Sequence, residues 1–171
     1  MEVGYTNNCM RRLFIVRKDL HMGAGKLAAQ VAHCAEAYWT NMLRKHAVGQ
    51  VVAVKSTNSQ TLGNYVIDNM RLDCDIYEDY VCGRFVKTVC QARNKNHLLK
   101  AGEIAKELGL VEGRDYGFIY DACFTDLTPE EDDGTCLTCF WTAPLDDKTA
   151  HKISKKYHLY VDERGSGENE P

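Results

Sequence analysis

The stretch that most constrains this chain is residues 13–26. Leu13, Phe14, Ile15 and Val16 form a short apolar run containing β-branched residues, closed by the charged Arg17, Lys18 and Asp19. Consecutive apolar residues without alternation read as a strand buried on both faces. A glycine turn, Met22-Gly23-Ala24-Gly25-Lys26, then runs straight into a helical pattern. From Lys26 to about His46 the apolar residues Leu27, Val31, Ala35, Tyr38 and Met42 recur three or four apart, and Ala28, Ala32 and Trp39 widen the stripe. A strand that must be covered on two faces, followed by a helix with one apolar face, commits the chain to layers of helix on sheet.

The rest of the chain extends that unit. Residues 84–92 have β composition, 96–108 predict a helix stopped by Gly109, 116–120 a strand ending in Asp121, and 136–142 a strand broken by Pro144. Asp146 or Asp147 caps a last helix running to about Lys156. Strands alternating with helices, then two strands in succession, imply a mixed sheet rather than a wholly parallel one. The expected fold class is α/β: a single-domain α/β/α sandwich with a mixed, roughly four-stranded sheet, a size that suits 171 residues. The middle departs from the pattern, with 51–55 reading as a short strand, 60–70 as a helix, and 72–80 as acidic and aperiodic. The domain is expected to span 1–161 with an insertion at about 47–83, and 162–171 to form a disordered acidic tail.

Total charge points away from a nucleic-acid partner, because 21 Lys and Arg against 24 Asp and Glu leave −3. The total hides an asymmetry. Residues 1–60 hold eight basic side chains against three acidic ones, so +5 lies on the segment with the glycine turn and −8 on the remainder. A basic face can capture a polyanion at a slightly negative total. Eight cysteines would suggest disulfides in a secreted chain, but residues 1–10 are polar where a signal peptide is apolar. No run reaches the roughly 18 apolar residues of a membrane span. The expected setting is cytoplasmic, with free thiols and no membrane partner. Cys136 and Cys139 form a C-x-x-C without a second pair at zinc spacing, on a strand where positions three apart point to opposite faces.

The chemistry-bearing residues gather around two places. Lys26 follows the glycine turn, but Leu27 stands where a phosphate-binding Walker loop needs Ser or Thr, so ATP hydrolysis is not expected. A lysine in the first turn opposes the helix dipole, which suggests an anion or a developing oxyanion as its partner. Gln30 and His33 follow at offsets of four and seven on the same helix face, suited to polar recognition or proton handling. Asp121 ends an apolar strand with Thr125 four residues on, at the sheet rim where ligands collect. The structural alternatives are a lysine reaching solvent, a packing histidine and an aspartate capping its own turn.

The run from Leu13 through Met22-Gly23-Ala24-Gly25-Lys26 to Gln30 and His33 resembles the N-terminal block of type II (archaeal and eukaryotic) peptidyl-tRNA hydrolases. Asp121-Ala122, Thr125, Pro129, Gly134 and Ala143-Pro144 are similar to the family's second block, with Thr138 where it has a strand threonine. The resemblance covers roughly 12–46 and 84–160. It implies hydrolysis of the ester joining a peptide to the 3′-terminal ribose of tRNA, by water and without a covalent intermediate, cofactor or metal. It also implies catalytic roles for Lys26, Asp121, Thr125 and Thr138, and substrate contacts from Gln30, His33, Arg17 and Gly25. The implied partner is tRNA, and a homodimer is left open. Cys123, Phe124 and Asp126 depart from the family's Gly, Arg and Gln, and the turn after Pro129 is stretched by Glu130-Glu131-Asp132-Asp133. These departures keep a second reading alongside, a non-catalytic RNA- or protein-binding module on the same fold. A third is a thiol or metal protein using Cys136 and Cys139.

Overall fold

The structure, a computed structural model, describes residues 9–51 and 63–161. Its elements follow in the order β1 (Arg11–Arg17), α1 (Ala24–His46), β2 (Ala47–Val51), β3 (Gly63–Ile67), a helical segment Ile76–Arg84, β4 (Val86–Ala92), α2 (Lys95–Glu107), β5 (Tyr116–Asp121), β6 (Cys136–Thr142), α3 (Asp147–Ser154) and β7 (His158–Leu159). Five strands form one sheet in the order β5-β6-β1-β4-β7. Only β1 and β4 run parallel; the other pairs are antiparallel, so the sheet is mixed as expected. It has one strand more than the four expected, because the chain after α3 returns as the two-residue edge strand β7.

Alternation along β1 divides the core. Phe14 and Val16 join Cys34 and Tyr38 of α1 with Cys139 and Trp141 of β6 on one face. Leu13 and Ile15 join Leu98 and Ala101 of α2, Phe140, and Ala150 and Ile153 of α3 on the other. Every residue of β6 is buried, Thr138 and Thr142 included. Each large side chain closed into this core stabilises by about 1.5–3 kcal/mol.

Arg12 sits fully buried inside the α1 layer. Its guanidinium donates to the carbonyls of Thr142 at 2.8 Å, Ala35 at 2.7 Å and Cys34 at 2.9 Å, and lies over the rings of Phe14 and Tyr38. Burial pulls its pKa below the ordinary arginine value. One side chain thereby ties the middle of α1 to β1 and β6.

The middle of the chain corrects one expectation. Residues 63–67 form a strand, not part of a helix, and pair antiparallel with β2 as a separate two-stranded sheet. The adjacent β-branched Val66 and Ile67 and the pairing offered by β2 outweigh the helical spacing. Residues 52–55 and 60–62, and the acidic end at 162–171, lie outside the described residues. Among those described, no helix is long and apolar enough to cross a membrane.

Candidate active site

The site begins at an uncompensated helix start. α1 opens after Gly23, which provides no side-chain cap, and its first turn holds no acidic residue. Lys26 in that turn therefore adds positive charge to the positive end of the helix dipole. The compensating anion comes from the far side of the sheet: Lys26 Nζ lies 2.8 Å from Asp121 Oδ2 and 3.0 Å from Oδ1, both side chains only 11% exposed. Lys26 also donates to Thr125 Oγ1 at 3.3 Å. Gly25 is exposed beside it, and a Cβ placed there would meet nothing within 4 Å, so the space above the first turn is open.

Asp121 reaches the lysine because the β5–β6 ladder slips. Ile119 pairs with Cys139 but Tyr120 pairs with Leu137, which leaves Thr138 as the extra residue of a β-bulge. The bulge turns Thr138 toward α1, where its hydroxyl donates to Gln30 Oε1 at 2.6 Å; the Ile119 carbonyl is a second acceptor at 3.1 Å. With its oxygen held in this way, the Gln30 amide presents Nε2 to Asp121 Oδ2 at 2.5 Å. The Cys123 amide donates to Asp121 Oδ1 at 2.8 Å. Burial pushes the Asp121 pKa up, but Lys26, the Cys123 amide and Gln30 together outweigh it and hold the carboxyl below its ordinary value. At neutral pH Asp121 is a carboxylate.

The rim is built from the turn after β5. Cys123 has φ of 56°, a left-handed conformation that costs an L residue about 1–2 kcal/mol and suits the glycine expected there by resemblance. This conformation folds the chain back so that its amide meets Asp121. Phe124 projects outward, 92% exposed, between that turn and Thr125.

Of the eight residues singled out in the sequence, the structure brings together Lys26, Gln30, Asp121, Thr125 and Thr138, with Gly25 beside them. His33 lies outside this cluster and lines a groove one helical turn further along α1. Arg17 is turned inward, 3% exposed. It is committed to Asp19 at 2.7 Å, to Glu130 at 2.9 Å and to the Leu137 carbonyl at 3.0 Å. The two carboxylates outweigh burial and raise its pKa, while Arg17 in turn holds Glu130 low. Glu131 pairs with Lys95 at 2.5 Å, and Asp133 accepts from the Thr135 amide at 3.0 Å and hydroxyl at 2.7 Å. The stretched acidic turn is thus largely satisfied by protein partners. Its link to Arg17 and the scaffolding by Arg12 were not visible in the sequence, where both arginines count only as basic charge.

All eight cysteines are free. Cys136 is buried beside Glu130, and burial and that charge push its thiol up to about 11. Among the described residues, no three His, Cys, Asp or Glu side chains are grouped to hold a metal ion.

The family model for Peptidyl-tRNA hydrolase PTH2 matches residues 10–160, a span containing every residue of this cluster. The chain belongs to the PTH2 family of peptidyl-tRNA hydrolases. A protein of Thermoplasma acidophilum named Peptidyl-tRNA hydrolase is 26% identical over 149 residues, covering 87% of this chain and 97% of that protein.

Proposed function

We propose that this chain cleaves the ester between peptide and tRNA by direct attack of water, with the Lys26–Asp121 pair as the reacting centre. The observation that carries this reading is the convergence of Lys26 from α1 with Asp121 and Thr125 from the end of β5 and its following turn, on one rim of the sheet. A carboxylate held below its ordinary pKa is a weak base. The role that fits Asp121 is to accept a hydrogen bond from the attacking water and to anchor Lys26, whose ammonium stabilises the tetrahedral oxyanion. Thr125 orients the water or the ribose hydroxyl. The water's proton passes to the leaving ribose oxygen, so a carboxylic acid and a free 3′ hydroxyl result. Thr138 and Gln30 act through Asp121 by fixing its direction. Cys136 and Cys139 are fully buried, so neither thiol is placed to attack a substrate.

The tRNA partner is supported by the family and by the exposed Phe124 beside the site. The acidic turn opposes phosphate less than its sequence suggests, because Glu130 and Glu131 are held in ion pairs. A cytoplasmic location agrees with eight free thiols. Incubating the full chain with labelled peptidyl-tRNA and following free tRNA tests the reading. Multiple turnovers, unchanged by a chelator, are expected. Tight binding without release would instead establish the non-catalytic module.

A further inference from the structure

Resting on that hydrolase reading, we propose that the open edge of β5 is the peptide-binding site: the peptidyl part of the substrate lies against residues 117–120 as an added strand. Among the described residues β5 ends the sheet, with β6 on one side and no strand on the other. Between α1 and this edge strand lies a groove of about 510 Å³, lined by Glu36, Thr40 and Arg44 of α1, by residues 117–120, by Trp141 of β6, and by Glu112 beyond the strand edge. Successive strand residues point to opposite faces, so four in a row lining one groove means that the backbone edge faces it.

The hydrogen bonds say which backbone groups are turned outward. The Asp115 carbonyl accepts from the Ala143 amide at 2.7 Å and the Ile119 carbonyl from Thr138 at 3.1 Å, so the odd-numbered residues address β6. Even-numbered residues face the other way, and the Tyr116 carbonyl is taken by the Gly113 amide at 2.7 Å at the far end of the groove. The N–H and C=O of Phe118 are therefore aimed at the groove. Gly117 keeps its floor shallow, because Trp141 lies so close that a Cβ at residue 117 would stand 2.8 Å from the ring.

Two features select a peptide rather than the tRNA strand. Glu36 and Glu112 line the groove against the single Arg44, a balance that repels a phosphodiester track. An unpaired strand edge is a complement to an extended peptide, and main-chain pairing reads no side chain, as a substrate of arbitrary sequence requires. The groove also ends in the right place. Tyr120 at its mouth adjoins Asp121, so a peptide paired along β5 delivers its C-terminal ester to the Lys26–Asp121 centre. Four strand residues offer room for roughly three or four peptide residues at about 3.3 Å each.

The test uses the full chain and three tRNA substrates sharing one C-terminal amino acid: an acetylated single residue, an acetylated tetrapeptide, and tetrapeptides N-methylated at one amide at a time. KM should fall about tenfold from the single residue to the tetrapeptide whatever its side chains, the effect of two added backbone hydrogen bonds. Methylation at one position should restore the higher KM with kcat little changed. Narrowing the groove with Glu36→Trp or Thr40→Trp, in whichever variant retains the wild-type melting curve, should also abolish the length effect. Equal KM for short and long peptides, or a length effect that survives every methylation, overturns the proposal while leaving the hydrolase reading intact. Failure to cleave any of these substrates overturns the hydrolase reading and this proposal with it.

Discussion

Two of the cation–carboxylate pairs that link the β1–α1 segment to the second half of the chain, Arg17–Glu130 and Lys26–Asp121, have opposite characters. Arg17 meets Asp19, Glu130 and a carbonyl, is 3% exposed, and has its fork of donors turned into the protein. Lys26 meets Asp121 under a rim left open by Gly25, with the exposed Thr125 and Phe124 beside it. Both carboxylates are held below their ordinary pKa by their cations. The difference lies in what remains available. Arg17 braces the turn that follows Pro129, whereas the lysine pair has access to a ligand and charge to offer it. Opposite charges in contact thus identify a candidate centre only when geometry leaves room for a third party.

The sharpest way to break the comparison is to neutralise one carboxylate of each pair. Asp121→Asn should lower single-turnover tRNA release by about a hundredfold or more, the scale of losing a preorganised charged group, while the melting curve hardly moves. An equal loss from Glu130→Gln would erase the distinction. Arg17→Ala leaves Glu130 and Asp19 without their cation. Both carboxylates are 34% exposed, so water softens the penalty to about 2 kcal/mol in denaturant titration. Turnover per folded molecule should stay close to wild type.

Thr138→Val removes the hydroxyl that orients Gln30 and should lower kcat about tenfold, with Thr138→Ser restoring it; equal loss in both variants would mean packing, not hydrogen bonding, matters there. The pH dependence discriminates more finely. Because the folded pKa of Asp121 is depressed, its contribution to stability is complete above the unfolded value of about 4 and is lost as pH falls through the lower folded value. The rate profile should accordingly show no acid limb from Asp121 between about pH 5 and 7. A limb there that disappears in Asp121→Asn would require a raised pKa and a general-base role instead. The smallest effect is expected at the rim: Phe124→Arg should steepen the salt dependence of KM by about one phosphate contact.

Much of this was legible beforehand. The β1 run, the glycine turn and the α1 stripe are local signals, and the shared helix face of Lys26 and Gln30 survives in the structure as their common grip on Asp121. The helix expected over 60–70 was not, since the strand at Gly63–Ile67 depends on a partner that local spacing does not contain. His33 kept its helix face but not its neighbours, because three more residues of rise carry it away from Asp121, back along β5 and into the groove.

What the sequence determined alone were the quantities of short range: strand, turn and helix at the N-terminus, two successive strands at the end, a lysine at an uncapped helix start and an aspartate at a strand end. The tertiary structure decided which charges meet. Glu130 lies 113 residues from Arg17 and Asp121 lies 95 from Lys26, and both separations close only through the register of β5 on β6 and of β6 on β1. The bulge at Thr138 is the clearest case, because one residue without a partner re-aims a whole strand end, and ladder register is a property of two strands together.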